Sequence, residues 1–257
     1  MSNTKSMKTE ILFGIHPVFE ALRAARRNFF EIYIAKENAL KRFEKMVAAD
    51  SESYSIGQQL KQISVKNIQA SELKSMAATE FHQGIGAKVS PYPLTDLSDI
   101  LGSAESNPFL LLLDNVVDTH NLGALVRTGL CVGTHGIIIP KDRSALPTPA
   151  VSKASAGALE HVFLARVTNL VNTIKELRKK GVWIAGMDKS GDHSVFASDL
   201  TCPIGIVIGG EEKGLRPLVK KHCDFLMSIP QKGPVNSLNA SVAGAVTMYE
   251  AFRQRGI

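Results

Sequence analysis

The sequence predicts an α/β protein: a mostly parallel sheet covered by helices makes up the C-terminal part, and a smaller α/β domain precedes it. Three observations carry this. From Phe109 onward, short apolar runs alternate with segments of helical length. Before residue 90 the alternating runs are shorter and more mixed in character. Between the two regions the chain is broken by turn formers, Ser90-Pro91-Tyr92-Pro93 and then Gly102 to Pro108. The expected organisation is residues 1–89 as one domain, 90–107 as a linker and 108–257 as the second domain.

Taken in order, the first domain offers an amphipathic helix from Pro17 to Arg27, a β-rich run from Phe29 to Ala35 and a helix-like stretch from Ala39 to Ala49. The alternation Ile63-Ser64-Val65 and the run Gly84 to Val89 follow as strand candidates. The linker contains one short helical pattern. In the second domain the strand candidates are Leu110 to Leu113, Gly136 to Ile139, Val162 to Arg166, Val182 to Ala185, Ile204 to Ile208 and Phe225 to Ile229. Helix-length segments lie at Leu122 to Cys131, Asn169 to Lys180 and Leu215 to His222. Uniformly apolar strands separated by helices imply a parallel sheet buried on both faces. Ligands of such sheets bind outside the carboxyl ends of the strands. A last helix begins at Ala240; small and apolar residues surround it through Val246, so it is expected to be buried all round, in a core or against a partner chain.

Composition narrows the classes. With 257 residues, 44% hydrophobic and 21% charged, the chain is neither disordered nor fibrous. Its longest apolar runs are a handful of residues, so no transmembrane helix is expected, and MSNTKSMKTE lacks the apolar core of a secretory leader. Three cysteines, Cys131, Cys202 and Cys223, without CxxC spacing point to reduced thiols in a cytoplasmic compartment. Histidines and cysteines show no metal-ligand spacing, so no metal is expected, and His16, His120 and His135 read as structural. Lys plus Arg exceed Asp plus Glu by 13 to 12 in residues 1–107 and by 17 to 12 in residues 108–257, an excess suited to a polyanionic partner.

Three strand-end loops carry the chemical signal. In Asp114 to Thr128, Leu122, Leu125, Val126 and Gly129 share one helix face, and Arg127 points away from that stripe. Asn121 has the type and place of a helix cap, and Arg127 alone would read as a solvated cation. In Ile204 to Arg216, Gly209, Gly210 and Gly214 follow a buried strand and permit close backbone approach to a ligand. No GxGxxG or Gly-Lys-Ser/Thr pattern is present, and Glu211 and Glu212 would repel a nucleotide phosphate. This loop suits a cofactor whose bound part is neutral or cationic; alone, it would read as an acidic turn capping the next helix. The third loop, Ser228 to Asn239, places Ser237 and Asn239 before the final helix as plausible caps.

Together, Asn121-Leu-Gly-Ala-Leu-Val-Arg127-Thr, Gly209-Gly-Glu211-Glu-Lys-Gly214-Leu and Ile229-Pro-Gln-Lys-Gly233-Pro-Val-Asn-Ser237-Leu238-Asn239 resemble, in order, the signature motifs of the SpoU/TrmH family of RNA ribose 2′-O-methyltransferases, members of the trefoil-knotted SPOUT superfamily. Gly14-Ile15-His16-Pro17-Val18-Phe19-Glu20-Ala21-Leu22 and His82-Gln83-Gly84 are similar to the family's accessory L30-like RNA-binding domain. With Pro140 to Ser144 and Arg166 to Leu170, the chain most resembles the members that methylate a guanosine ribose in large-subunit rRNA. It departs from the family at Thr119, where proline is usual, and at Glu212, where a small residue is usual.

The resemblance implies S-adenosyl-L-methionine as cofactor, an rRNA substrate, a homodimer through the catalytic domain, and a C-terminal helix threaded through a loop, against the general rule. It implies Arg127, Asn121, Glu211, Ser237 and Asn239 as catalytic residues and Gly209, Ile229 and Leu238 as cofactor-contacting positions. In that scheme Asn121 supports Arg127, Glu211 orients the loop or cofactor, and Ser237 and Asn239 place the ribose. A guanidinium keeps its proton at neutral pH, so Arg127 is expected to hold a phosphate and stabilise the developing oxyanion, not to act as base. A tRNA ribose methyltransferase and a catalytically silent RNA-binding or ribosome-assembly protein are the alternative readings.

Overall fold

The structure, a computed structural model, describes residues 8–104, 107–234 and 237–256; Val235 and Asn236 of the third motif lie outside them. The chain divides into two units, one containing the residues up to Pro93 together with Pro147–His161, the other Leu94–Leu146 and the residues from Val162 on.

The first unit carries β1 (Glu10–Phe13), α1 (Ile15–Ala24), β2 (Phe29–Ile34), α2 (Glu37–Ala49), α3 (Ser53–Leu60), β3 (Ser64–Asn67), α4 (Ala70–Ala77) and β4 (Ile85–Val89). Its four strands lie in the order β1-β4-β2-β3, with only the β2–β3 pair parallel. Helix α1 buries Ile15, Val18, Phe19 and Leu22, one stripe at helical spacing, against Leu12, Ile32, Ile85 and Ala87. The periodicity did not signal β1, α3 or α4. Helices α3 and α4 each bury a single residue, Ile56 and Leu73, which is too little to set a period. Residues Pro147–His161, expected within the second domain, carry α7 (Pro149–Ala154) and belong to this unit. Glu160, 1% exposed, explains their place: Arg27, its side chain fully buried, donates to it from Nε (2.7 Å) and Nη2 (3.2 Å), and to Glu10 from Nη1 (2.7 Å). A buried guanidinium requires such partners.

The second unit carries α5 (Leu97–Ser103), β5 (Phe109–Asp114), α6 (Thr119–Cys131), β6 (Gly136–Pro140), β7 (Leu164–Val167), α8 (Leu170–Lys179), β8 (Trp183–Met187), β9 (His193–Ser194), β10 (Ile204–Gly209), α9 (Pro217–His222), β11 (Phe225–Ser228) and α10 (Ala240–Gln254). Its sheet is wholly parallel, in the order β7-β6-β5-β10-β8-β11-β9. The short helical pattern of the linker is α5, whose Ile100 is part of this unit's core. Strands β5, β6 and β7 run to one side in chain order and the later strands to the other, so the order reverses between β5 and β10. These two pair in register from Ile204↔Phe109 to Gly209↔Asp114, which sets the loops after them side by side. Such a switch point is where parallel sheets bind ligands.

One helix reading needs correction. Asp118, not Asn121, caps α6: its carboxylate accepts the backbone N–H groups of His120 (3.2 Å) and Asn121 (3.3 Å). Helix α10 is covered on one side within this chain, which leaves its other side to the partner chain that the sequence reading also allowed. Gly244, Thr247, Met248 and Ala251 face inward, and a Cβ on Gly244 would run into Leu125 of α6, but Val242 and Tyr249 are about half exposed. Among the described residues no helix is long and apolar enough to cross a membrane.

Candidate active site

The site grows from the ends of β5 and β10. After five apolar residues β5 closes with Asp114, fully buried, whose carboxylate accepts the backbone N–H (2.8 Å) and Nε (2.6 Å) of Arg216. That pair ties the far end of the glycine loop back to β5. The loop is folded upon itself, with Gly214 N–H donating to Gly210 O at 2.9 Å. A Cβ on Gly209 would strike the backbone of Gly214, and one on Gly210 the carbonyl oxygen of Asn115, so only glycine permits this packing.

On this frame, side chains from three loops meet. Asn121, buried in the first turn of α6, donates from Nδ2 to Glu211 Oε1 at 3.0 Å. Asn239 donates from Nδ2 to Asn121 Oδ1 at 3.0 Å and also to Glu211 Oε1. Asn239 is at the same time the cap of α10, its Oδ1 accepting the N–H groups of Ser241 (2.9 Å) and Val242 (3.3 Å). One residue therefore fixes the start of a helix and closes a polar cluster; of the roles weighed for it from sequence, the cap is the one it fills here. Glu211, also read as a possible helix cap, is not one: Arg216 occupies the N-cap position of α9.

Two cavities flank the Gly210–Gly214 loop, and Glu211 lines both. The larger, about 820 Å³, is walled by Gly209, Ile229, Ser237 and Leu238, with Asp188 at the end of β8. The smaller, about 490 Å³, is walled by Asn115, Asp118, Asn121, Arg143 and Arg216. Burial favours the neutral form of Asp188, but bonds from Ser190 Oγ (2.7 Å), Ser190 N–H (2.9 Å) and Lys220 outweigh it and hold the carboxyl below its usual range.

Of the candidate residues, the structure thus joins Asn121, Glu211 and Asn239, and sets Gly209, Ile229, Leu238 and Ser237 around the larger cavity. It does not bring Arg127 to them. Arg127 is exposed on α6, lines neither cavity and has no hydrogen bond or ion pair with the described residues. Asn121 is engaged with Glu211 and Asn239, not with Arg127. Sequence reasoning passed over Asp114, Asn115, Asp188 and Arg216. A carboxylate ending an apolar strand was a readable sign for Asp114; nothing local marks Arg216 as its partner.

The larger cavity suits a particular chemistry. Its charged lining is mixed, Glu211, Glu212 and Asp188 beside Lys189 and Lys213, while Ile208, Ile229 and Leu238 offer an apolar surface. A neutral aromatic ring with a cationic tail fits such a lining, as S-adenosylmethionine has. Among the described residues no group of three or more His, Cys, Asp or Glu could hold a metal ion.

Comparison with known proteins agrees with the geometry. Residues 108–249 match the SpoU rRNA Methylase family and residues 11–95 match the RNA 2′-O ribose methyltransferase substrate binding family. The chain is 42% identical over 250 residues to the 23S rRNA (guanosine-2′-O-)-methyltransferase RlmB of Photorhabdus laumondii, covering 96% of this chain and 99% of that one. It is 38% identical over 253 residues to the putative TrmH family tRNA/rRNA methyltransferase YacO of Bacillus subtilis, covering 97% and 98%. In fold it is similar to the SpoU methyltransferase AviRb from Streptomyces viridochromogenes, solved with AdoMet, at a TM-score of 0.76 and 24% identity over 96% of this chain and 90% of that one.

Proposed function

Because the chain belongs to the SpoU rRNA methylase family, we propose that it transfers a methyl group from S-adenosylmethionine to the ribose 2′-hydroxyl of a guanosine in large-subunit rRNA. The observation that carries the reading is the Asn121–Glu211–Asn239 cluster, built from three loops at the wall shared by two cavities.

When bound, S-adenosylmethionine supplies an electrophilic methyl group on a sulfonium. The residues that would hold it are Gly209, Ile229 and Leu238, through backbone groups and apolar surface, with Ser237 and Asp188 at the polar rim of the same cavity. A ribose hydroxyl is a weak nucleophile, so the protein's task is to hold it in line and favour loss of its proton. Glu211 and the two asparagines offer a rigid polar edge for placing the sugar, because each is already fixed by the others. Arg127 supplies an exposed cation that no carboxylate among the described residues neutralises, suited to an RNA phosphate and to the charge that develops on the oxygen. The first unit, matching the substrate-binding family, contributes to the choice of RNA.

We further infer a homodimer through the second unit. The open side of α10, with Val242 and Tyr249 about half exposed, offers an apolar surface for a second copy. The threading of α10 through a loop is carried over from the family on the same terms.

The test is transfer of labelled methyl from S-adenosylmethionine to unmodified large-subunit rRNA and to tRNA in parallel, followed by mapping of the modified ribose. Label on an rRNA guanosine is the expected result. Label in tRNA would overturn the substrate, and RNA binding without any transfer would overturn the activity.

A further inference from the structure

We propose that a groove at the amino-terminal edge of the second unit's sheet, at the opposite end from the two cavities, docks a single-stranded segment of RNA, with Trp183 as a stacking platform and Lys175 and Lys179 as phosphate contacts. The proposal rests on the reading that RNA is the substrate, and it concerns RNA outside the reacting nucleotide.

The groove measures about 580 Å³ and is walled by Lys175, Arg178 and Lys179 of α8, by Gly181 and Trp183, and by Asp224 just before β11. Gly181, with φ at 81°, turns the chain from the end of α8 into β8, which brings a cationic helix end beside the first residue of a strand. A Cβ on Gly181 would meet nothing within 4 Å, so the turn leaves the groove open. The same strand leads to the larger cavity, which Met187 and Asp188 line at its other end. At about 3.3 Å per residue, Trp183 and Asp188 stand about 16 Å apart, a span that one RNA chain can bridge.

The free charge of the groove is positive. Asp224 is fully engaged: one carboxylate oxygen accepts Arg178 at 2.7 Å and the other accepts the Ile184 N–H at 2.8 Å. Lys180 is paired with Glu176 at 3.2 Å. Lys175 and Lys179, four residues apart on one exposed face of α8, have no ion pair or hydrogen bond among the described residues. The helix dipole favours cations in the last turn of α8, which accounts for Arg178 and Lys179 but not for Lys175, one turn earlier.

Trp183 supplies what the lysines lack. Its neighbours Val182 and Ile184 are 3% and 0% exposed and belong to the core beneath α8, whereas Trp183 is 53% exposed. Strand alternation turns its side chain away from that core and leaves it at the rim of the groove. Cations that track a backbone beside an exposed indole are the means by which proteins hold single-stranded RNA: the ring takes the face of a base and the lysines take phosphates. A duplex keeps its base faces stacked inside, and an acidic peptide would use the lysines without the ring.

Trp183 is the one tryptophan of the chain, so its fluorescence reports this groove directly. The experiment titrates the full chain at low salt with an oligoadenylate of about ten nucleotides, and follows the anisotropy of the same oligonucleotide, labelled, in the variants. The expected result is saturable quenching that weakens as salt rises. Trp183→Leu should bind about tenfold less tightly, and Trp183→Phe, which keeps a flat ring, should recover most of that loss. Lys175→Gln combined with Lys179→Gln should reduce the slope of log affinity against log salt by about 1.4. Circular dichroism of all variants should match wild type. Oligonucleotide binding without quenching, or unchanged affinity in Trp183→Leu, would overturn the proposal; equal quenching by polyglutamate would overturn RNA as the occupant. With large-subunit rRNA, Trp183→Leu should raise the RNA concentration for half-maximal methyl transfer and leave turnover at saturation unchanged. Transfer with that concentration unmoved removes the groove but not the activity, and quenching by RNA without transfer to any RNA removes the activity but not the groove.

Discussion

Replacing Glu211 by glutamine tests whether the polar cluster works as a unit. The carboxylate accepts from the side-chain amides of Asn121 and Asn239, and both bonds are charge-assisted. Glutamine can still accept, but only as a neutral group, at a loss of about 1 kcal/mol per bond in a buried setting. Glu211 is exposed, so screening reduces the sum for the pair to about 1.5 kcal/mol, which is about a tenfold fall in turnover. Alanine removes the acceptor altogether and leaves Nδ2 of Asn121, a residue only 7% exposed, without its partner, so turnover should fall further. Cofactor affinity should change little, because the cluster is only one part of the larger cavity's wall. The assay is single-turnover methyl transfer to rRNA beside calorimetric titration of the cofactor. Asn121→Ala combined with Glu211→Gln should lose no more than the deeper single variant, as members of one network do. Turnover within about twofold of wild type in both Glu211 variants, or cofactor affinity falling in step with turnover, would refute the reasoning.

Arg127→Ala should lose at least about a hundredfold in turnover with cofactor affinity little changed, and the slope of log RNA affinity against log salt should shrink by about one; a large loss of cofactor binding would remove Arg127 from this role. Glu160→Ala should destabilise the first unit by about 3 kcal/mol, because Arg27 keeps Glu10 and the Ser90 carbonyl but loses two bonds while fully buried. Hydrogen exchange along β1 and β4 reads this directly, and unchanged protection there would contradict it. For His82, burial first and the Lys36 charge second lower its pKa in the fold below the ordinary 6.5. The unfolded chain thus takes up the proton first, so the stability is complete above about pH 6.5 and is lost as pH falls towards the folded value. Protonation at Nδ1 would also break the bond from Gly84 N–H at 3.1 Å. Denaturant midpoints at two pH values, one on each side of this range, should differ more in wild type than in His82→Asn.

The sheet of the second unit was legible because its central strands, β5, β6 and β10, are apolar runs with no competing period. Phe109 to Leu113 is buried residue by residue, as the pattern requires. The first unit was harder to read for the same reason in reverse: β3, Ser64–Asn67, is exposed at all four positions and exists through its pairing with β2, which local composition does not encode. The excursion of Pro147–His161 was equally hidden. Its place depends on Glu160 reaching Arg27, residues 133 positions apart with no shared local pattern. For the site, glycines and motif order located the loops, yet the bonds from Asn121 to Glu211 and Asn239 follow only from the register of β5 with β10.

Helix α10 shows where hydrophobic pattern and burial part company. Pattern records that a face must leave water; it does not record which chain covers it. The side bearing Gly244, Thr247 and Met248 is covered within this chain, by α6 and β10. The side bearing Val242 and Tyr249 is not, although the sequence marks both sides alike. Because Asn239 caps this helix and closes the polar cluster, whatever covers the open side also steadies the cluster. A second copy of the chain there would couple assembly to catalysis. Val242→Asp, placing a charge on the open side more than two turns from the buried Ala251, should then lower both the fraction of dimer and turnover. In sedimentation and methyl-transfer assays on the same sample, a fully dimeric or fully active Val242→Asp protein would show that α10 meets no partner at this face.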